Sequence, residues 1–326
     1  MQKNFIIWIT ALIFVAAFSV AGTAYYAGSA GRAKLVVSTT TSLYDTELLN
    51  TIEDQFEAKY LIDVYFISVG TGLAIEHAER GDADMILVHS PTKELLFLEE
   101  GYGVCRKIIA YNFFAIVGPE TDQSNIEDLS PIEALSSIVE VGRREGIKWV
   151  SRGDDSGTHA KERGLWTTAG FNWTEIRNEG WFIEAGAGMG KTLQVADNLE
   201  AYTFADMGTY LKYSKDGIIS LAALVTEGEE LLNVYSVIAG NQTRHSGINF
   251  DGAITFIKFL VSEEGQRIFS SFGKNVYGQS LFYPAVDLLK HNSSPTISQW
   301  IENYAFFRGF ECPPEYQDDH PELYAS

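Results

Sequence analysis

The stretch at residues 150–159 has the residue types that anion binding requires. Between an apolar strand pattern at 147–151 and a helical pattern at 159–168 lie Arg152, Gly153, Ser156, Gly157 and Thr158. A glycine-rich turn can direct several backbone N–H groups at one point, and the start of the following helix adds free N–H groups. A guanidinium can donate to two oxyanion oxygens at once. The turn therefore predicts an anion site whose donors are Arg152, Ser156, Gly157 through its backbone, and Thr158.

The same turn has a simpler interpretation as a surface loop. Ser156 can cap the helix that follows, and Arg152 can pair with Asp154 or Asp155. Both carboxylates oppose a bound anion, so an anion site requires them to cap the helix or to orient Arg152. On this turn alone the two interpretations stay open.

Two further turns carry hydroxyl groups. Residues 39–42 are Thr-Thr-Thr-Ser, and they lie between a buried-strand pattern and a helical pattern at 45–59. Hydroxyls in such a turn can cap the helix or donate to a ligand. A second strand-to-helix junction, at 69–72, contains one threonine. The candidate donors in these turns are Thr40, Thr41, Ser42 and Thr71.

The elements around these turns alternate between strand and helix. Apolar runs at 35–38, 62–68 and 85–88 predict three strands, each followed by a helical pattern. This order is typical of a parallel, doubly wound sheet, in which ligands bind beyond the carboxyl ends of the strands. The hydroxyl turns lie at those ends.

The middle of the chain repeats this unit. An apolar strand at 106–117 predicts a crossing into a second lobe, and one at 233–239 predicts the return. Between them, Ser130 followed by proline and by Glu133 predicts a capped helix start, and the helix should end near Gly146. The strand at 147–151 and the arginine turn follow.

These elements predict an α/β fold of two doubly wound lobes joined by two crossing strands. Lobe I is expected at 34–112 and 240–326, and lobe II at 113–239. An amphipathic pattern at 250–272 predicts one long helix in lobe I. The aromatic segment beyond residue 283 should pack against the rest of the protein, although its partner is unassigned.

Five segments in the same order carry a family resemblance. They are Ser-Thr-Thr-Thr-Ser at 38–42, Val-Gly-Thr-Gly at 69–72, residues 81–91, Ser-Arg-Gly-Asp-Asp-Ser-Gly-Thr-His at 151–159, and residues 186–190 with 201–203. Together they resemble the tungstate-binding proteins of ABC importers. The resemblance extends from about residue 35 to residue 241.

The resemblance implies a periplasmic-binding-protein-like fold of type II, with tungstate as ligand and an ABC permease as partner. Molybdate is the nearest alternative ligand. The residue chemistry by itself implies only a small tetrahedral oxyanion and does not rank tungstate, molybdate, sulfate and phosphate. The glycine turn at 186–190 should add N–H groups to the site. We expect a monomer without enzymatic activity, cofactor or metal.

The first thirty residues have the pattern of an export segment. Lys3 precedes an uncharged run at 5–26, which is long enough to span a bilayer as a helix. Residues 28–30 are small, as a signal peptidase requires. Because the run is long for a cleaved signal peptide, we predict an uncleaved membrane anchor, with cleavage as the alternative. No cysteine precedes Cys105, which excludes lipoprotein attachment, and either interpretation places the remaining chain outside the cytoplasm.

Charge and cysteine content exclude several functions. A formal net charge of -19 makes nucleic acid and anionic membrane surfaces poor partners. The two cysteines, Cys105 and Cys312, lack the spacing of a metal site. In an exported protein they can form one disulfide or remain two buried thiols, and both outcomes stay open.

Two other functional classes fit parts of the sequence. Asp-Ser-Gly at 155–157 resembles the nucleophile surroundings of secreted serine proteases, but Gly-x-Ser-x-Gly is absent around Ser156. The next histidine, His159, follows on the first turn of the helix. A surface interaction protein is the other class, and no small anion would then change the melting temperature. The segment 185–192 nearly spells a P-loop, but its first position is Ala185 rather than glycine.

Overall fold

The computed structural model describes residues 31–324. The export segment predicted at residues 1–30 lies outside the described residues. Between residues 31 and 324, no helix is both long and apolar enough to cross a membrane.

The chain alternates between strands and helices over most of its length. The strands are β1 (Ala33–Thr40), β2 (Ile62–Val69), β3 (Met85–Val88), β4 (Gly103–Gly118), β5 (Trp149–Ser151), β6 (Phe182–Glu184), β7 (Tyr202–Asp206), β8 (Ala222–Val225), β9 (Leu232–Gly240) and β10 (Tyr283–Pro284). The helices are α1 (Thr41–Asp45), α2 (Leu48–Lys59), α3 (Thr71–Glu79), α4 (Pro91–Glu99), α5 (Pro131–Glu145), α6 (Gly157–Thr168), α7 (Trp173–Ile176), α8 (Met189–Asn198), α9 (Met207–Lys215), α10 (Phe250–Val261), α11 (Glu263–Ser271), α12 (Lys274–Tyr277), α13 (Val286–His291) and α14 (Pro295–Ala305).

The sheet has a parallel part in each lobe. In lobe I, β1 is parallel to β2 and β3, and in lobe II, β5 is parallel to β6 and β7. Strand β9 pairs antiparallel with β3, and β4 pairs antiparallel with both β9 and β7. The hydrogen-bonded order is therefore β2-β1-β3-β9-β4-β7-β5-β6. Strands β4 and β9 are the two expected crossing strands, and the predicted fold of two α/β lobes is confirmed.

Each lobe buries apolar side chains on both faces of its sheet. Along β3, Met85 and Leu87 pack with α2 and α10, whereas Ile86 and Val88 pack with α3 and α4. This alternation follows from the two-residue period of a strand. Strand β4 alternates in the same way in lobe II, between a cluster on α5 and α6 and another on α8 and α9. Helices cover both faces, so the polar turns at the strand ends are left to form the interface between the lobes.

Helix α5 shows why local signals predict some elements well. Ser130 accepts a hydrogen bond from the N–H of Glu133, and the Glu133 carboxylate accepts one from the N–H of Ser130. The helix ends at Gly146, which adopts a left-handed φ of 78°. Both ends lie where the sequence predicts them.

Two other helices are interrupted where the sequence pattern predicts continuity. The pattern at 45–59 is divided between α1 and α2, because Glu47 takes a left-handed φ of 66°. The single helix expected at 250–272 is wrong. Ser262 is extended, and its hydroxyl accepts a hydrogen bond from the N–H of Gly265 at the start of α11. Ser262 thus ends α10 and caps α11, a function that the apolar period running through it conceals.

The C-terminal segment packs on the crossing strands. Leu288 of α13 and Ile301 and Ala305 of α14 form a buried cluster with Ile108 of β4 and Val234 of β9. This assigns the partner that the sequence left open. Further along, Glu311 pairs with Lys107, and the hydroxyl of Tyr324 donates to the carbonyl of Arg106. The segment therefore holds β4 at the crossing.

Both cysteines are buried free thiols. Cys105 donates to the carbonyl of Gln317, and the Gln317 side chain donates to the carbonyl of Cys312. Of the two outcomes left open by the sequence, the structure contains the second. Burial raises the pKa of both thiols, so neither is a reactive thiolate.

Candidate functional site

Three strand-to-helix turns meet between the two lobes. Lobe I contributes the turn from β1 to α1 and the turn from β2 to α3, and lobe II contributes the turn from β5 to α6. These turns, with the first residues of the helices that follow them, hold the eight residues between Thr40 and Thr158 that the sequence predicts as ligand donors, whereas the glycine turn at 186–190 follows β6. All of these residues are buried except Thr41, which is half-buried; the buried ones are Thr40, Ser42, Thr71, Arg152, Ser156, Gly157 and Thr158. Polar groups buried at this density must find partners, in the protein or in a ligand.

Arg152 is the central group of this site. Its side chain is only 1% exposed. One terminal nitrogen, Nη2, contacts the Asp154 carboxylate and lies 3.2 Å from Oγ1 of Thr41. The other, Nη1, lies 3.4 Å from Oγ1 of Thr158. The third nitrogen, Nε, is buried without a hydrogen-bond partner.

An unpaired buried donor on a cation is costly. Leaving a buried donor without an acceptor costs about 1–3 kcal/mol, and more when the group is charged. The 3.4 Å contact to Thr158 is also at the long end of hydrogen-bond distances. The guanidinium therefore has unused donor capacity, and its two terminal nitrogens lie beside the hydroxyls of Thr41 and Thr158.

The two acidic residues of the turn have different partners. Asp154 accepts from Arg152 through one oxygen and from the N–H of Ser156 through the other. It thus orients Arg152, as an anion site requires. Asp155 adopts a left-handed φ of 54° and pairs with Lys93 of lobe I at 3.3 Å. The surface-loop interpretation is right about the pairing of Arg152 but wrong about its exposure.

The hydroxyl groups of the site differ in their partners. Ser156 caps α6, since its Oγ accepts from the N–H of His159. Thr40 occupies the N-cap position of α1, yet its side chain makes no capping bond and instead lies 3.4 Å from Oγ of Ser42. Helix capping therefore explains Ser156 but not Thr40 or Ser42. The hydroxyls of Thr40 and Ser42 lie beside each other and make no capping bond at the start of α1.

The two lobes touch directly at Gly157. Its N–H donates to Oγ1 of Thr71 across the cleft at 3.1 Å. A Cβ atom at this position would lie 2.8 Å from Nε2 of His89 and 3.1 Å from Oγ1 of Thr71, both in lobe I. Nearby, the Gly188 turn of lobe II approaches Thr41, with a Cβ position 3.7 Å from Oγ1. The structure is thus a closed state in which glycines permit the approach.

Buried carboxyl groups below the arginine turn carry less charge than their number suggests. Glu162 accepts from Nε1 of Trp149 and from the hydroxyl of Ser151, and burial raises its pKa to about 7. Asp206 caps α9 through Thr209, and burial raises its pKa to about 6. Burial also raises the pKa of Asp45. Partial protonation at neutral pH lowers the negative charge around the site.

The groups next to Ser156 do not form the hydrogen bonds of a hydrolase. Ser156 Oγ accepts from the backbone N–H of His159, and Nδ1 of His159 accepts from the N–H of Asp155. Among residues 31–324, no histidine is hydrogen-bonded to the Ser156 hydroxyl as a general base would be. Among residues 31–324, no group of three or more histidine, cysteine, aspartate or glutamate side chains is arranged to hold a metal ion.

Sequence reasoning did not identify three residues at the interface. His89 and Lys93 of lobe I contact lobe II from the turn after β3 and from α4, and Asp206, the last residue of β7, caps α9 near Arg152. Lys93 and His89 lie more than sixty residues from their lobe II contacts. The position of His89 directly after the strand predicted at 85–88 is the signal that could have found it, because ligand-facing turns follow strands in such sheets.

Comparison with known proteins agrees with this geometry. Residues 25–264 match the model of the PBP superfamily domain. The tungstate-binding protein TupA of Peptoclostridium acidaminophilum is 37% identical over 254 residues, covering 78% of this chain and 86% of that protein. A putative ABC transporter anion-binding protein of Haloferax volcanii is 40% identical over 279 residues, covering 84% of this chain and 77% of that protein.

A solved structure extends the comparison to three dimensions. The tungstate-binding protein TupA from Desulfovibrio alaskensis G20 superimposes with a TM-score of 0.67 at 35% sequence identity, covering 77% of this chain and 98% of that one. The region that matches the family model, residues 25–264, contains all three turns of the site. The chain therefore belongs to the PBP superfamily and, within it, to the family of the tungstate-binding protein TupA.

Proposed function

We propose that the protein is the extracytoplasmic solute-binding component of an ABC importer and binds tungstate in the cleft between its lobes. The observation that carries this proposal is the buried Arg152, whose Nε lacks an acceptor. Its terminal nitrogens lie beside hydroxyls from both lobes, those of Thr41 and Thr158. A tetrahedral dianion supplies acceptors in several directions at once and so fits a cation surrounded by neutral donors.

The donors come from both lobes. In lobe I they are Thr40, Thr41, Ser42 and Thr71, and in lobe II they are Arg152, Ser156 and Thr158, with the backbone around Gly157. Ser156 accepts its capping bond from a backbone N–H, so its own proton remains for the ligand. The N–H of Gly157 donates to Thr71 in this closed state, which leaves the Thr71 hydroxyl proton to point at the ligand.

The lobes of this proposal have defined limits. We assign residues 34–112 and 240–326 to lobe I and 113–239 to lobe II. The first boundary falls within β4 and the second before the last residue of β9. These two strands pair with each other, and β9 also pairs with β3 of lobe I and β4 with β7 of lobe II. Bending of these two strands is the simplest way to open the cleft.

Location and partner follow from family membership. A solute-binding protein works outside the cytoplasm and delivers its ligand to a permease, so an ABC permease is the proposed protein partner of a monomer. We further propose that residues 1–30 form an uncleaved membrane anchor. Intact-mass measurement of the native protein tests this, and a mature chain starting near Gly31 would show that the segment is a cleaved signal peptide.

Ligand identity is tested by calorimetric titration with tungstate, molybdate, sulfate and phosphate. We expect tungstate to bind with a stoichiometry of one and to compete with the other three anions for the same site. Molybdate, which has the same charge and shape, should be the strongest competitor. If phosphate or sulfate binds more tightly than tungstate, the proposed ligand is wrong but the proposed site still stands. Absence of heat with all four anions would overturn the proposed function.

A further inference from the structure

His89 is a buried residue of the interface that the set of ligand donors does not include. It follows β3 in lobe I and is 2% exposed. Its ring stacks on Tyr235 of β9 with centroids 5.1 Å apart. On the other side, Nε2 lies 2.8 Å from the position of a Cβ on Gly157 of lobe II. The imidazole is therefore enclosed between a crossing strand and the arginine turn.

The hydrogen bonds of Asn233 define the tautomer of His89. The Asn233 amide nitrogen lies 2.9 Å from both Oδ1 of Asn112 and the hydroxyl of Tyr235. The amide oxygen of Asn233 is left to face Nδ1 of His89 at 2.8 Å. An amide oxygen only accepts, so Nδ1 carries the proton in the neutral ring. Nε2 then carries the lone pair.

Nε2 has no hydrogen-bond partner in this structure. It lies against the backbone of Gly157, whose N–H donates to Oγ1 of Thr71, and among the described residues no hydrogen-bond acceptor is placed for an added proton on Nε2. A second proton would therefore produce a cation without a partner in the interior. Asn112 and Asn233 are paired neighbours on the crossing strands, so the network also links this ring to the hinge.

We propose that His89 is a positioning residue for ligand binding: its neutral imidazole is the surface of lobe I on which the Gly157 turn rests, and the lobes close only while the ring is uncharged. This inference rests on the proposed function, because closure around an anion is what it controls. His89 need not touch the ligand, and it acts through the backbone of Gly157.

The charged groups around the ring act in the same direction. Arg152 faces it from lobe II and opposes a second cation, and Lys93 and Lys161 line the cavity beside it. The carboxylate of Glu94 is already engaged with Arg106 and the N–H of Ser90. The phenol of Tyr235 stays neutral, because burial raises its pKa well above the usual value. Glu230 lines the same cavity but makes no hydrogen bond to the ring, so among residues 31–324 no carboxylate is bonded to His89.

The sign of the pH dependence follows from burial. In the closed state burial lowers the pKa of His89 to about 4, whereas an exposed imidazole has a pKa of about 6.5. Closure of the lobes therefore requires a protonated His89 to lose its proton. Affinity is full above about pH 6.5 and falls as the pH is lowered towards 4. Glu162 and Asp206 also titrate in this range, but their protonation removes negative charge near the ligand and so opposes the effect.

The test is calorimetric titration of the full chain with tungstate at about pH 7.5 and pH 5.5. These two pKa values predict about tenfold weaker binding by the wild type at the lower pH. In His89→Asn the amide nitrogen can still donate to Asn233, but the side chain cannot be protonated, so the tenfold loss should disappear. Burial also lowers the pKa of His159, which makes it the competing histidine, and His159→Asn should keep the loss if His89 is responsible. The wild type and the variants are compared at the same pH, so protonation of tungstate itself affects all of them equally.

The outcomes separate this inference from the proposed function. No tungstate binding by the wild type at pH 7.5 overturns the proposed function. Two results would contradict the role of His89 but leave the proposed function intact, provided that the wild type binds tungstate at pH 7.5. In the first, His89→Asn loses the same tenfold affinity between pH 7.5 and pH 5.5 as the wild type. In the second, the loss disappears only in His159→Asn. If His89→Asn does not fold, titration of the wild type in buffers of different ionisation enthalpy still decides. Binding at pH 5.5 should release close to one proton, and release of none contradicts the inference.

Discussion

Arg106 and Arg152 are both buried, yet their surroundings differ completely. The carboxylate of Glu94 lies 2.8 Å from both Nε and Nη2 of Arg106, and the carbonyl of Glu311 accepts from Nη1. The guanidinium also lies 4.5 Å from the ring centroid of Phe307. Arg152 has one carboxylate, two distant hydroxyls and an unpaired Nε. Nη2 of Arg106, like Nε of Arg152, makes no hydrogen bond, but it lies 2.8 Å from the Glu94 carboxylate, whereas Nε of Arg152 has no hydrogen-bond partner. The difference between the two arginines is therefore the buried carboxylate that holds Arg106 in place, and this difference agrees with the proposal that Arg152 binds the ligand.

The largest expected effect is on stability, at Arg106. Arg106→Ala leaves the 0% exposed carboxylate of Glu94 without its cation, and breaking a buried pair in this way costs about 3–5 kcal/mol. The urea midpoint should fall accordingly. Arg144→Ala is the matched control, because Arg144 is an exposed arginine that pairs with Glu140 and Glu145. A midpoint for Arg106→Ala equal to that of the control would contradict the structural role.

The second effect is on binding, at Arg152. Arg152→Ala removes a charged donor worth roughly 1.5–3 kcal/mol, so tungstate should bind about ten- to a hundredfold more weakly. The urea midpoint should change little, because the Asp154 side chain that is left behind is 19% exposed and can be hydrated. Arg152→Lys should recover part of the affinity, since the charge remains but the planar donor pair is lost. Wild-type affinity in Arg152→Ala would mean that the site lies elsewhere.

The third effect is on the contact between the two lobes, at Gly157. In Gly157→Ala the added methyl would meet Nε2 of His89 and Oγ1 of Thr71, both across the cleft. Overpacking costs about 1–3 kcal/mol, and here it destabilises only the closed state. Tungstate binding should therefore weaken by about tenfold or more. Small-angle scattering with saturating tungstate should show a larger radius of gyration than for the liganded wild type.

Gly164→Ala is the control for that substitution. Gly164 lies in the same helix, α6, and a Cβ there would meet nothing within 4 Å. Alanine is favoured over glycine inside a helix by about 0.5–1 kcal/mol, so this variant should be slightly more stable and bind normally. Equal affinity in the two alanine variants would show that the Gly157 contact does not limit closure.

The contrast between the two arginines also shows what a sequence can reveal. The arginine turn, the hydroxyl turns and the capped start of α5 are encoded by neighbouring residues, so local patterns predicted them. The pairing of Asn233 with His89 joins residues 144 positions apart, and no local pattern contains it. The same holds for Arg106, whose contacts with Glu311 span 205 residues. At Ser262 a local pattern gave a wrong prediction. The apolar period at 250–272 runs through this residue and predicted one helix, but Ser262 ends α10 and caps α11.

The smallest effect concerns an exposed pair, which completes the comparison with the two buried arginines. Lys93 of lobe I and Asp155 of lobe II pair at 3.3 Å, with side chains 29% and 74% exposed. Pairs of this kind contribute about 0–1 kcal/mol, because water already solvates both charges. Asp155 has a left-handed φ of 54°, so asparagine is the substitution that removes the charge without straining the backbone.

Replacing either side chain also changes the electrostatic potential at the bound anion. The interaction energy between Lys93 and Asp155 must therefore be measured by a double-mutant cycle. Tungstate affinities of the wild type, Lys93→Met, Asp155→Asn and the double variant give the coupling between the two side chains. We expect a coupling below about 1 kcal/mol at low ionic strength, favouring the closed, bound state. It should disappear near 0.5 M salt, where the screening length is roughly 4 Å. A coupling above about 2 kcal/mol that persists in salt would instead place this pair with the buried contacts that hold the lobes together.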